Sequence, residues 1–154
     1  MNMKLSFSWV GLVVFALPML INIAYVIFPP TGEVTSSGNV THGVEIIEAV
    51  SRIVYFVLLT FLVNKDPLKP KSVWLLAAVV FLILYYIVWI RYFIGGRNVA
   101  LLGRSFLFVP IPLAIFPVVY YLCAAIWMGN IPAAVAMAVF GAAHITVSVQ
   151  SFCR

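Results

Sequence analysis

Residues 72–94 read SVWLLAAVVFLILYYIVWIRYFI, a run of more than twenty residues in which Arg91 is the single charge. A helix rising 1.5 Å per residue needs about 20 such residues to cross the roughly 30 Å of a bilayer's hydrocarbon. Working outward, four further runs have this character, at about 7–28, 44–63, 105–128 and 131–150. The intervening segments are breakers. PPTGEVTSSGNVTHG (29–43) is turn-rich and polar, NKDPLKPKS (64–72) is short and charged, and GGRNVALLGRS (95–105) is bounded by glycine. MGNIP (128–132) is so short that the last two runs must form a tight antiparallel hairpin.

Composition agrees. The 154 residues are 65% hydrophobic and 8% charged, against about 25% charged in an ordinary soluble domain. The expected fold is therefore an all-α integral membrane protein, a single domain over 1–154, built as a bundle of five transmembrane helices. The alternative architecture has four spans plus a re-entrant or interfacial fourth segment, because Pro110, Pro112 and Pro117 crowd the first half of that run. The first run exceeds the roughly 7–15 residues of a signal-peptide core and lacks a small-x-small cleavage site, so it reads as a retained span.

The net charge of +5 does not read as nucleic-acid binding, since the basic residues are scattered at the ends of apolar runs, where headgroups lie. With five spans, Lys4, Lys65, Lys69 and Lys71 share one side, the near side, and Arg97, Arg104 and Arg154 share the far side. That is four basic residues against three, or a tie if Arg91 is counted on the far side, a slight lean by the positive-inside rule toward a cytoplasmic amino terminus in a plasma or inner membrane. Cys123 and Cys153 form no C-x-x-C pair, which argues against a thiol relay. Trp9, Trp74 and Trp127 fit interfacial belts, and the NVT triplet at Asn39 matches a glycosylation acceptor.

Alternating direction gathers the polar groups of the five runs toward the far side, where the fourth run contributes the carbonyls freed by Pro110 and Pro112. Asn22 and Tyr25 close the first run, and Glu45, Glu48 and Arg52 open the second. Arg91 ends the third, while His144, Thr146, Ser148 and Gln150 end the fifth. At 100° per residue Glu45, Glu48 and Arg52 fall within about 60° of one another, and Tyr55 continues the stripe. Glu48 and Arg52 stand at i, i+4 with the acid first, the favourable order for a helical ion pair. Ala134, Ala138, Ala142, Thr146 and Gln150 form an i+4 ladder that is expected to pack against a neighbouring helix, with His144 at its edge. A lone charge at the bilayer centre costs about 2.5–3.5 kcal/mol on insertion scales. The expectation is thus that Arg91 and His144 meet the Glu45–Glu48–Arg52 stripe and complete a one-sided polar cup.

For function, the cup is expected to bind a small or amphipathic anionic ligand, or a partner helix, without catalysis. Arg52 and Arg91 would hold the anion, Glu45 and Glu48 would fix the arginines, and Tyr55, His144 and Asn22 would line the site. Beyond the lipid bilayer, a homo-oligomer or partner membrane protein is a candidate partner. A second class is an intramembrane enzyme acting on lipid or peptide, with Glu48 and His144 as acid–base partners. A transporter or channel is disfavoured because the near half offers little beyond Tyr120, Tyr121 and Cys123. His42, Glu45, Glu48 and His144 are suitable zinc ligand types, but their spacing is loose, and no metal or cofactor is expected.

Two fragments bear on the enzyme class. EAVSR (48–52) resembles the E-E-x-x-x-R motif of intramembrane CAAX-type proteases, with Ile47 where the leading glutamate belongs, and FGAAH (140–144) is similar to their F-x-x-x-H motif. The family's third motif, H-x-x-x-N, has no counterpart. The resemblance implies Glu48 as base and His144 as its water-orienting partner.

Overall fold

The computed structural model describes residues 3–31 and 41–152. The Asn39 acceptor pattern, Cys153 and Arg154 lie outside the described residues. The chain is mostly helical: β1 (Met3–Leu5), α1 (Trp9–Ile27), α2 (His42–Phe61), β2 (Leu62–Asn64), α3 (Val73–Ile94), α4 (Ala100–Gly103), α5 (Pro112–Trp127) and α6 (Ile131–Phe152). Three of these helices, α1, α3 and α6, are long and apolar enough to cross a membrane. α2 has the length, at 20 residues, but carries Glu45, Glu48 and Arg52. α5 is apolar but has only 16 residues, which extend about 24 Å.

The fourth expected run, 105–128, is where sequence and structure differ most. Its first third is not helical. Pro110 and Pro112 supply no N–H and disfavour helical backbone at the residues before them. Phe106 and Val109 instead exchange two backbone hydrogen bonds, of 3.1 and 2.9 Å, and Leu107, Phe108 and Ile111 take left-handed backbone. The helix starts at Pro112, whose fixed φ suits a first helical position.

The five long helices alternate in direction, as their connections show. On the near side β1 pairs antiparallel with β2, Lys4 opposite Val63, a short ladder not anticipated from the sequence. Ser6 and Ser8 extend it with backbone bonds to Phe61 and Thr60. The Ser8 hydroxyl then accepts from Gly11 N–H at 2.9 Å and starts α1. Gly11 is required here, because a Cβ at that position would collide with the carbonyl of Leu59. α1 and α2 therefore approach backbone to backbone.

Asn130, 1% exposed, holds the other near-side joint. Its amide donates to the carbonyls of Leu58 (2.8 Å) and Leu62 (2.7 Å) at the end of α2. Its side-chain oxygen accepts from Ala133 N–H at the start of α6. One side chain thus satisfies orphan groups at two helix ends. The tight hairpin expected from MGNIP is present, turning at Gly129 with φ 63°. On the far side, the Thr31 hydroxyl donates to the carbonyl of Gly96 at 2.7 Å.

α5 is the innermost helix, packed between α3 and α6 and buried along most of its length. Its two tyrosines solve a problem created by α1. Pro18 has no N–H to give the carbonyl of Val14. The Tyr120 hydroxyl donates to that carbonyl at 2.8 Å, and the Tyr121 hydroxyl donates to Phe15 at 2.8 Å. Tyr86 of α3 donates to Leu17 at 2.6 Å. Three phenols from two helices therefore bind the middle of α1 around its proline.

Large apolar side chains such as Leu20, Ile53, Ile83 and Val135 face outward. So do Ala138, Ala142 and Thr146 of the α6 ladder, whereas Ala134 is partly buried against the core. The packed face of α6 is Ala133, Met137, Phe140, Gly141 and Ser148. The expected ladder is thus turned by about one residue. Phe140 and Met137 offer more packing area than alanine, and Gly141 admits Val118 of α5 where a Cβ would clash.

Candidate functional site

Glu48, Ser51, Tyr55 and Leu59 recur at helical spacing and form the buried face of α2. Glu48 is only 9% exposed, and a carboxylate so placed needs partners. It has two. Arg52, one turn on, forms an ion pair with Oε1. His144 of α6 places Nδ1 3.1 Å from the same oxygen. An ionised carboxylate only accepts, so Nδ1 carries the proton and Nε2 is left without a partner among the described residues.

The arginine and histidine are also tied by stacking. The Phe140 and His144 rings, one turn apart on α6, lie 5.0 Å apart and nearly parallel. The Arg52 guanidinium sits 5.4 Å from the centre of the Phe140 ring. The cluster is therefore a stacked pair of rings, a guanidinium and a shared carboxylate, with its geometry fixed by packing between α2 and α6.

Arg52 and His144 form one wall of a cavity of about 500 Å³, and each of the five long helices contributes to it. Asn22 and Tyr25 come from α1, Tyr55 from α2, Tyr85 and Trp89 from α3, Pro117 from α5 and Ser148 from α6. Tyr85 donates to the Asn22 side-chain oxygen at 2.8 Å, and Tyr55 donates to the carbonyl of Tyr121 at 3.2 Å. The indole nitrogen of Trp89 is buried with no partner among the described residues. The flank of α5 borders the space through Ile111, Leu113, Ala114 and Tyr121. Pro117 also deprives the Leu113 carbonyl of its helical donor.

The structure sorts the expected site residues into three groups. Asn22, Arg52, Tyr55 and His144 line the cavity, with Glu48 behind Arg52 and His144. Glu45 stands apart, exposed at the start of α2, where its carboxylate lies 3.5 Å from His42. Arg91 does not meet the stripe. Its guanidinium donates to the carbonyls of Arg104 (2.9 Å), Ser105 (3.1 Å) and Leu101 (3.5 Å) and lies over Phe106. The connector after α3 breaks helical pairing there and exposes several carbonyls at once, which a fork of five donors satisfies better than one carboxylate would.

Tyr85, Trp89 and Asn130 were missed as site or scaffold residues. Tyr85 and Trp89 belong to an aromatic stripe with Tyr92 at helical spacing, a signal that does not distinguish core from cavity. Among the described residues no group of three or more His, Cys, Asp or Glu side chains gathers in metal-binding geometry. Comparison of the chain with known protein families, characterised proteins and solved structures finds no match.

Proposed function

We propose that all five long helices cross a bilayer and that the far-side cavity binds an amphipathic anion. In this reading the buried ends of α5, Ile111, Pro112, Met128 and Asn130, lie within the bundle, and the irregular turn before it, with Leu107 and Phe108 exposed, lies at the headgroup level outside the hydrocarbon. The outward apolar faces of α1, α2, α3 and α6 supply the lipid contact.

One observation carries the ligand reading: Arg52 and His144 share Glu48 at the wall of a cavity that all five helices build. Glu48 neutralises one charge and orients the guanidinium, whose remaining N–H groups are free to bind. A carboxylate or phosphate there would face these donors. Apolar residues such as Phe15, Leu113 and Met137 would receive the tail.

The probe is a dansyl-labelled fatty acid, compared with its methyl ester on the purified full chain in mild detergent. Losing a charge-assisted bond of about 1.5–3 kcal/mol makes Arg52→Ala weaken the acid by about 10- to 100-fold. The ester should respond little. Equal affinity of wild type and Arg52→Ala for the acid would defeat the assignment.

A second reading is favoured by the Glu48–His144 pair. With Nδ1 protonated toward Glu48, Nε2 is available as a general base at the cavity wall. Turnover of a lipid or peptide substrate that is abolished by both Glu48→Gln and His144→Ala would select it over simple binding.

A further inference from the structure

We propose a second site, on the near side, for an anionic phospholipid: one acyl chain in the groove between α1, α3 and α5, with its phosphate at Lys69 and Lys71. The inference rests on the membrane reading above and is independent of the far-side cavity.

The groove has a volume of about 380 Å³ and is walled by Trp9, Val13, Leu75, Val79, Leu82 and Trp127. It runs from the near-side end of each helix to Tyr120, halfway along α5. From Trp9 to Leu17 on α1 is eight residues, about 12 Å. One leaflet of a roughly 30 Å hydrocarbon layer is about 15 Å deep. The groove is thus close to one leaflet long and opens sideways where lipid would lie.

Its inner wall offers an apolar surface because its polar atoms are committed. The Tyr120 hydroxyl is bound to the Val14 carbonyl, and the Trp127 indole N–H to the Lys69 carbonyl at 2.9 Å. The second bond also fixes the loop at the mouth of the groove. Lys69 and Lys71 are exposed there, with Lys65 and Lys4 on the same side. Asp66 is the single acid among the described near-side residues. Apolar groove and basic rim together fit an acyl chain joined to a negatively charged headgroup.

Native mass spectrometry of the full chain in mild detergent tests this, with phosphatidylglycerol and phosphatidylcholine of matched acyl chains added in equal amount. Each lysine near a headgroup is worth about fivefold in affinity, so phosphatidylglycerol should be retained at least fivefold over phosphatidylcholine. Lys69→Ala with Lys71→Ala should remove that preference and leave retention at the phosphatidylcholine level. Val13→Trp with Val79→Trp, both at exposed positions, should reduce retention of both lipids. All variants are compared in an Arg52→Ala background, which removes the far-side anion site, so that retention reports the near-side groove alone.

Equal retention of the two lipids by the Arg52→Ala parent, or a preference that survives loss of both lysines, overturns the proposal. So does a lipid-free dimer that the tryptophan pair disrupts, since the groove would then hold a second copy. Release of the chain from membranes by an alkaline wash would instead defeat the membrane reading before any lipid is added.

Discussion

Glu48 gives one oxygen to two partners, and the two bonds should contribute unequally to stability. The Arg52 side chain is 52% exposed, so its ion pair resembles a surface pair, worth about 0–1 kcal/mol. The His144 side chain is 27% exposed and opposes a carboxylate that is 12% exposed. That bond joins two helices rather than two turns of one, and a part-buried charge-assisted bond is worth about 1.5–3 kcal/mol. Removing Glu48 also leaves the protonated Nδ1 of His144 without an acceptor.

Glu48→Ala should therefore destabilise the fold by about 2–4 kcal/mol. The double-mutant cycle with His144→Ala should give a coupling of about 1–2 kcal/mol, and the cycle with Arg52→Ala a coupling below about 1 kcal/mol. Reversible unfolding of the four members of each cycle in mixed micelles measures both. A Glu48–His144 coupling near zero would show that the two helices are held by packing alone. A larger coupling to Arg52 than to His144 would invert the ranking and refute the exposure argument behind it.

Three further outcomes follow from the scaffold. Asn130→Ala removes three hydrogen bonds at a nearly fully buried position, and should cost about 2–4 kcal/mol in the same assay. Asn130→Asp should be no better, because a carboxylate would face the carbonyls of Leu58 and Leu62. Tyr120→Phe should cost about 1 kcal/mol in wild type and clearly less in a Pro18→Ala background, where the backbone N–H gained with the alanine can serve the Val14 carbonyl; equal costs in the two backgrounds would break the link between that proline and that phenol. Arg91→Ala should speed amide hydrogen exchange across residues 95–111 while leaving binding of the dansyl fatty acid unchanged; weakened binding without faster exchange would return Arg91 to the ligand.

Much of the cluster was legible from spacing alone. Glu48 and Arg52 at i, i+4 had to share a helix face, and antiparallel order had to bring His144 to the same end of the bundle as Glu48. The partner of Arg91 was not legible, because height does not fix rotation. Arg91 lies at that end too, yet the connector of its own helix offers several free carbonyls nearer than any carboxylate. The alanine ladder failed for the same reason. A run of small residues shows that a helix can be approached closely, and Phe140, Met137 and His144 decided from which side.

The sequence by itself determined the number of long helices, their order and the end at which each polar group lies, because run length, proline and glycine act locally along the chain. Only the tertiary structure decided which faces meet: that Pro18 is answered by Tyr120, that Asn130 closes two helix ends, and that Arg91 turns to the carbonyls of its own connector. Those choices depend on hydrogen-bond donors and side-chain volumes brought together from distant segments, and a one-dimensional pattern does not encode the rotation of one helix against another.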